Sequence, residues 1–302
     1  MLQHRLRIGA LLIAALLAGL WADHLADSIP LPSPLASLTK DATLPPGSVF
    51  FLVMAPLSCL AALELARILR RKQIAAASRA SCSAAVLGLC VSCLISTEAN
   101  AVHAVAAVSS AAAVVLVGSL VFYSRNRSTE GVVAATGGTL LAFVYLGLMF
   151  GFLLAIRREH SVWTVLWVLA VTKSCDIGAY FTGRAIGRHK LIPWLSPGKT
   201  VEGLLGGIAV ASAIAFTGAL SLRFFNIHDA PGPVVGFFSG ILFALVGQVG
   251  DLLASILKRD AGLKDSGDSL PGFGGLLDVL DSPLAVFPAA FWVLTSAAGA
   301  DL

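Results

Sequence analysis

The sequence predicts an all-α fold, a polytopic membrane helix bundle of about nine transmembrane helices. Three observations lead there. The chain of 302 residues is 57% hydrophobic and 13% charged, with a mean hydropathy of +0.86, whereas soluble domains carry about a quarter of their residues as charges. The charges cluster between apolar runs of about 17–25 residues, the length a helix needs to cross the hydrocarbon layer. The runs are rich in Ala, Leu and Val and lack the alternation, in segments of about ten residues, that marks a transmembrane barrel.

The spans fall at 6–22, 48–68, 80–96, 101–123, 132–156, 161–182, 202–222, 233–256 and 283–299. The first follows His4, Arg5 and Arg7 and has the look of a signal peptide. No small-x-small site closes it, so it is read as a retained helix. Residues 23–47 form a proline-rich loop with Asp23, Asp27 and Asp41 against Lys40. Spans 80–96 and 101–123, joined by Ser96-Thr97-Glu98-Ala99-Asn100, read as a helical hairpin. The chain divides into N-terminal helices over 1–130 and a C-terminal region over 131–302 with polar loops at 183–203 and 257–282.

Lysine and arginine set the orientation, because cytoplasmic loops carry the excess. Arg5 and Arg7 place the N-terminus inside and loop 23–47 outside. Arg67, Arg70, Arg71, Lys72 and Arg79 then fall inside, as do Arg125, Arg127, Arg184, Arg188, Lys190, Lys199, Lys258, Arg259 and Lys264. Arg157 and Arg158 disagree and fall outside. The net charge of +4 is small, and the basic residues sit at span ends rather than in one patch, which argues against a nucleic-acid partner. The cysteines Cys59, Cys82, Cys90, Cys93 and Cys175 all lie in apolar stretches and read as packing residues.

Both polar loops fall on one face of this topology. Asp251 lies about two turns inside a span end, where a carboxylate needs a cavity or a partner. Asp251, Ser255 and Lys258 share one helix face at i, i+4 and i+7. They present an acid, a hydroxyl and a cation to one pocket, or else Asp251 and Lys258 form a plain salt bridge. Lys264, Asp265, Gly272, Gly274 and Gly275 belong to a glycine-rich loop whose backbone N–H groups can approach an anion; a merely flexible loop is the alternative. Asp278 and Asp281, at i and i+3, stack on one helix face. Paired carboxylates with phosphates nearby suit Mg²⁺, although an acid at a helix start is also a common cap. Lys199 and Thr200 open a helix and can hold a phosphate there, and Glu202 equally reads as a capping-box residue. Pro197-Gly198-Lys199-Thr200 lacks the first glycine and preceding strand of a P-loop. Asp176, one turn after Lys173, reads as an ion pair or part of the polar pocket.

Several ordered blocks resemble the phosphatidate cytidylyltransferases. These are Asp176-Ile177-Gly178-Ala179-Tyr180, Ser196-Pro197-x-Lys199-Thr200-Val201-Glu202-Gly203, Ser255-x-x-Lys258-Arg259, Lys264-Asp265-Ser266-Gly267, Leu270-Pro271-Gly272-x-Gly274-Gly275 and Asp278-x-x-Asp281-Ser282. The likeness covers roughly 170–283; the first 130 residues share only apolar helices. Two positions depart: Phe273 stands where the family usually has histidine, and Val279 where it usually has arginine. The resemblance implies CMP transfer from CTP to phosphatidate, giving CDP-diacylglycerol and pyrophosphate. It implies Mg²⁺ on Asp251, Asp278 and Asp281, with Lys258 also catalytic. Substrate binding falls to Lys199, Thr200, Ser255, Arg259, Lys264, Asp265, Gly272, Gly274 and Gly275. It further implies a homodimer; the short, compact chain points to a bacterial inner membrane, and the loop charges put the site at the cytoplasmic face, with the lipid entering sideways from the bilayer. The competing expectations are another CTP-dependent lipid enzyme, such as a polyprenol kinase, and a secondary transporter using Asp176 and Asp251. The acids cluster near one face and the chain shows no paired halves, which weighs against transport.

Overall fold

Long Ala, Leu and Val runs fold as helices because each satisfies its own backbone polar groups, as a hydrocarbon environment requires. The computed structural model describes residues 2–31, 43–94, 101–125, 127–227, 229–270, 272 and 274–298, with side chains except at 2–7, 94 and 298. The 96–100 connection, Lys40, Asp41, Pro271 and Phe273 lie outside the described residues, as do the side chains of Arg5 and Arg7.

The described helices are α1 (Leu2–Ala26), α2 (Ser48–Arg71), α3 (Ser78–Leu94), α4 (Ala101–Ser124), α5 (Val132–Glu159), α6 (Val162–Ile186), α7 (Val201–Phe224), α8 (Pro233–Asp260) and α9 (Leu277–Ala298). All but α3 are long and apolar enough to cross a membrane, and the chain is an integral membrane protein. At 17 residues, α3 is the shortest. A short antiparallel hairpin, β1 (Lys190–Ile192) and β2 (Ser196–Thr200), occupies the loop between α6 and α7.

The chain forms two compact units. The first comprises Met1–Arg70, Ile74–Val162 and Gly267–Leu276; the second comprises Arg71–Gln73, Trp163–Ser266 and Leu277–Leu302. The 130/131 division read from hydropathy falls inside the first unit. Residues 267–276, which the sequence places wholly in the C-terminal region, fold with the first unit.

In the first unit, α3 packs on a π-helical segment of α5, Ala142–Leu148. Glycine permits the contact: a Cβ on Gly88 would lie 2.7 Å from the Phe143 carbonyl oxygen and one on Gly147 2.8 Å from Gly88 Cα. The Leu146 carbonyl accepts from Ser58 Oγ of α2 at 3.0 Å. Arg157, near the end of α5, is 3% exposed. Its Nε and Nη2 each lie 2.5 Å from a carboxylate, of Asp23 and Asp27 respectively. Asp23 also accepts the Phe50 N–H at 2.9 Å. Arg158 donates to the Cys93 carbonyl at 2.8 Å. The two arginines that break the loop-charge pattern are thus engaged internally, and Arg157 is neutralised by the acids of the loop it was expected to share a side with.

In the second unit, α7 and α9 both pack on α8. Small residues again set the approach: a Cβ on Gly236 would meet the Ala215 carbonyl at 2.9 Å, and one on Gly207 the Cys175 carbonyl at 2.8 Å. Trp167 donates its Nε1–H to the Ala215 carbonyl at 3.0 Å and meets Phe243 edge-on at 5.9 Å. Buried apolar side chains such as Phe243, Leu284 and Phe287 fill this core.

Candidate active site

The hairpin ends on Lys199 and Thr200 at the start of α7. Thr200 has extended dihedrals and caps α7, its hydroxyl accepting the Gly203 N–H at 3.1 Å. Glu202 does not close a box on the cap. Its carboxylate instead takes the Arg188 and His189 N–H groups at 3.0 and 3.2 Å and His189 Nδ1 at 2.6 Å, tying the loop to the helix start. Gly187 and Gly203 must be glycine here, since a Cβ on either would fall within 3.0 Å of the Thr200 hydroxyl.

Beside this cap, within the second unit, lies a cavity of about 520 Å³. Asp176, Tyr180, Arg184, Lys199, Gln248 and Asp251 line it with opposing charges. The Lys199 ammonium rests on the Asp251 carboxylate, each about a quarter exposed. Arg184 donates to the Tyr180 hydroxyl at 3.1 Å, and Lys173 pairs with Asp176 at 3.3 Å on an exposed surface. Gln248 lies about one turn before Asp251, and its Nε2 is buried without a hydrogen-bond partner. A cavity walled by ammonium and guanidinium groups, with carboxylates opposite, suits an anionic ligand that carries a cation with it.

Asp251 and Asp281 lie on either side of the α8–α9 crossing, close enough to feel each other's charge. Gly250 makes the crossing close: a Cβ there would lie 2.6 Å from both the Asp281 carbonyl oxygen and Ala285 Cβ. Asp281 is 4% exposed, accepts the Ser282 N–H at 2.7 Å, and lies in the fields of Asp251, Lys173 and Lys258. Among the described residues, no three His, Cys, Asp or Glu side chains are grouped to hold one ion. The expected trio of Asp251, Asp278 and Asp281 is therefore not gathered. Two hard carboxylates, one of them lining a cavity that also holds Lys199 and Arg184, are still a donor set that fits Mg²⁺, which commonly takes one or two protein carboxylates and completes its shell with substrate oxygens and water.

Asp278 is occupied differently. Its Oδ1 accepts from Lys258 Nζ at 2.6 Å, and its Oδ2 from the Ser266 N–H at 2.8 Å and hydroxyl at 3.0 Å. Lys258 is thereby buried in an ion pair and does not share a partner with Asp251. The expected single face of Asp251, Ser255 and Lys258 is divided: Asp251 goes to Lys199, Lys258 to Asp278, and the plain Asp251–Lys258 bridge does not form. Ser255 is half-buried on α8. Arg259 is exposed and donates to the Leu263 carbonyl at 3.3 Å. Lys264 and Asp265 are exposed on the loop.

In the first unit, the glycine-rich segment turns back through paired hydrogen bonds between Leu270 and Gly274 at 2.9 and 3.1 Å. Gly272 and Gly274 have φ of 88° and 91°, a region side-chain-bearing residues avoid. Gly275, just after the turn, is buried. Glu64 of α2 accepts from this segment: the Leu276 N–H at 2.9 Å and the Ser269 hydroxyl. Sequence reasoning missed Glu64, Ser266, Tyr180, Arg184 and Gln248. A lone acid inside an apolar helix was the available signal for Glu64. Arg184 was read only as a topological charge.

A polytopic helical membrane fold with a charged, phosphate-suited cavity beside a helix N-terminus defines the class of this protein. The sequence profile of the cytidylyltransferase family matches residues 41–297, and the chain belongs to that family. It is 40% identical over 161 residues to the phosphatidate cytidylyltransferase of Bacillus subtilis, covering 52% of this chain and 58% of the relative. It is 36% identical over 167 residues to that of Helicobacter pylori, covering 55% and 57%. It is 44% identical over 131 residues to the uncharacterized protein YnbB of Escherichia coli, covering 43% and 42%. The chain thus spans somewhat over half the length of the phosphatidate cytidylyltransferases it matches.

Proposed function

We propose that the protein transfers CMP from CTP to phosphatidate, releasing pyrophosphate and leaving CDP-diacylglycerol in the membrane. The observation that carries this reading is the cavity in which Lys199, Arg184 and the start of α7 face Asp251. A phosphate-monoester oxygen of the lipid attacks the α-phosphorus of CTP; the new P–O bond forms as the α–β bridge bond breaks and pyrophosphate carries the electrons away. The nucleophile is already ionised near neutral pH, so the chain need supply no strong base. Its task is to hold two anions together and neutralise them. Lys199 exchanges the Asp251 carboxylate for a CTP phosphate, and Arg184 and Thr200 lie where the same phosphates would be gripped. Arg259, exposed in the last turn of α8, and Lys264, exposed on the following loop, would meet the leaving pyrophosphate. Asp251 and Asp281 would hold Mg²⁺, which supplies a counter-charge to the phosphate oxygens when bound. Lys258, Asp278 and Ser266 fix the loop that follows α8.

The loop charges support a site at the cytoplasmic face, and the bacterial relatives favour a bacterial inner membrane. With Arg157 neutralised internally by Asp23 and Asp27, the loop-charge bias favours one orientation. Parallel assays with α- and γ-labelled CTP on phosphatidate and on polyprenols test the reading. Label from the α position in a phosphatidate-derived product supports it. Label only from the γ position, or only on polyprenol, replaces it with a kinase.

A further inference from the structure

The first half of the chain carries one acid inside the apolar run of α2, Glu64, and it is 6% exposed. A carboxylate buried in such a helix is costly unless hydrogen bonds offset its lost hydration. Partners for it come from the glycine-rich segment more than 200 positions later. Oε1 accepts the Leu276 N–H at 2.9 Å and the Ser269 hydroxyl, and Gly267 lies against the same carboxylate. A Cβ on Gly267 would come 2.9 Å from Oε1 and 3.1 Å from Cδ, so glycine there admits the acid. Arg67, one turn on, approaches Asp268 at 3.8 Å, but both side chains are largely exposed and the pair adds little.

The contacts lie at both ends of the segment. Gly267 follows Ser266, whose N–H and hydroxyl hold Asp278. Leu276 stands two residues before Asp278. Between these ends the chain makes the Leu270–Gly274 turn with its two positive-φ glycines.

We propose that Glu64 is a positioning residue: by accepting from Leu276 and Ser269 it sets the path of the segment from Gly267 to Leu276, and with it the turn whose Gly272, Gly274 and Gly275 the family resemblance assigns to nucleotide binding. The catalytic part of this proposal rests on the CMP-transfer reading. Acceptance of hydrogen bonds, not charge, is what the role requires. Glu64→Gln keeps a carbonyl acceptor, whereas Glu64→Ala removes it.

The experiment uses the full chain in detergent micelles, with kcat and the KM for CTP measured alongside amide hydrogen exchange. For Glu64→Ala we expect kcat/KM for CTP to fall about 30-fold, mostly through KM. For Glu64→Gln we expect recovery to within about threefold of wild type, because a carbonyl oxygen still accepts. Exchange at Leu276 should rise in the alanine variant and not in the glutamine variant, with α5 unchanged in both. Should Glu64→Ala fail to fold, Ser269→Ala and Glu64→Gln carry the test, and the former should raise KM for CTP by a smaller factor. Unchanged exchange and unchanged KM in the alanine variant overturn the proposal, as does an equal loss in alanine and glutamine variants. If wild type transfers no CMP, the functional reading fails, while the exchange pattern still decides whether Glu64 sets this segment.

Discussion

The Lys258 ammonium lies 2.6 Å from Asp278 Oδ1, with the two side chains only 10% and 11% exposed. The pair joins the last turn of α8 to the first turn of α9, and Ser266 supplies the two further donors that satisfy the carboxylate. Removing one partner leaves a buried charge behind, which typically costs about 3–5 kcal/mol, whereas removing both costs far less. Lys258→Met should therefore lower thermal stability in detergent more than Lys258→Met combined with Asp278→Leu. The two substitutions should couple strongly in a double-mutant cycle. Additive losses would mean that the ion pair does not hold this junction.

Lys199 and Asp251 make a different kind of pair, partly exposed and facing a cavity. Lys199→Ala should raise the KM for CTP and cost about 10–100-fold in kcat/KM, as expected for a lost charged contact to phosphate. Asp251→Asn and Asp281→Asn should each cost at least about 100-fold in kcat, at any CTP concentration. Chelation should stop the wild-type reaction and added Mg²⁺ restore it, with the midpoint of the Mg²⁺ titration raised in both variants. An unaltered Mg²⁺ titration in Asp281→Asn would remove that residue from the ion's shell.

The helices and the location of the charged loops were legible because hydropathy and span length report directly on the solvent each segment meets. The positions of Asp251 and Lys199 were legible as costly or helix-opening residues. Their pairing was not, because an i, i+7 spacing says which residues share a face and nothing about what arrives opposite. Lys258 was therefore read toward the Asp251 pocket, while the fold commits it to Asp278. The attachment of 267–276 to Glu64 was hidden for a similar reason: it spans 205 positions at Ser269 and 212 at Leu276, and no local pattern encodes it. Arg157 looked like a misplaced loop charge because composition cannot distinguish an exposed arginine from one 3% exposed between two acids.

Gly250 gives a steric prediction. A methyl group at this position meets the Asp281 backbone carbonyl and Ala285 Cβ at 2.6 Å, and the backbone of α9 cannot swing aside as a flexible side chain would. Gly250→Ala should displace α8 from α9 and with it Asp251 from Asp281. We expect kcat to fall by about 10–100-fold, since displacements near 1 Å have effects of that order. Stability should fall by about 1–3 kcal/mol from overpacking. Gly137→Ala in α5, where a Cβ meets nothing within 4 Å, is the matched helical control and should keep both. Equal behaviour of the two variants would show that the crossing tolerates a methyl group and does not set the carboxylate spacing.

Arg157 offers a prediction in which stability and catalysis separate. Its guanidinium serves two acids at once through Nε and Nη2, and Nη1 donates to the His160 carbonyl at 3.3 Å. That fork geometry is specific to arginine. In Arg157→Met, Asp23 would keep the Phe50 N–H but lose its counter-charge while 1% exposed. The variant should lose about 3–5 kcal/mol and melt at a lower temperature in detergent. Arg157→Lys should fall between the two, since an ammonium supplies charge without the planar fork. None of these residues lines the cavity that holds Lys199 and Asp251, so KM for CTP should stay within about twofold of wild type at a temperature where the variants remain folded. A large rise in KM at such a temperature would contradict a purely structural role for this cluster.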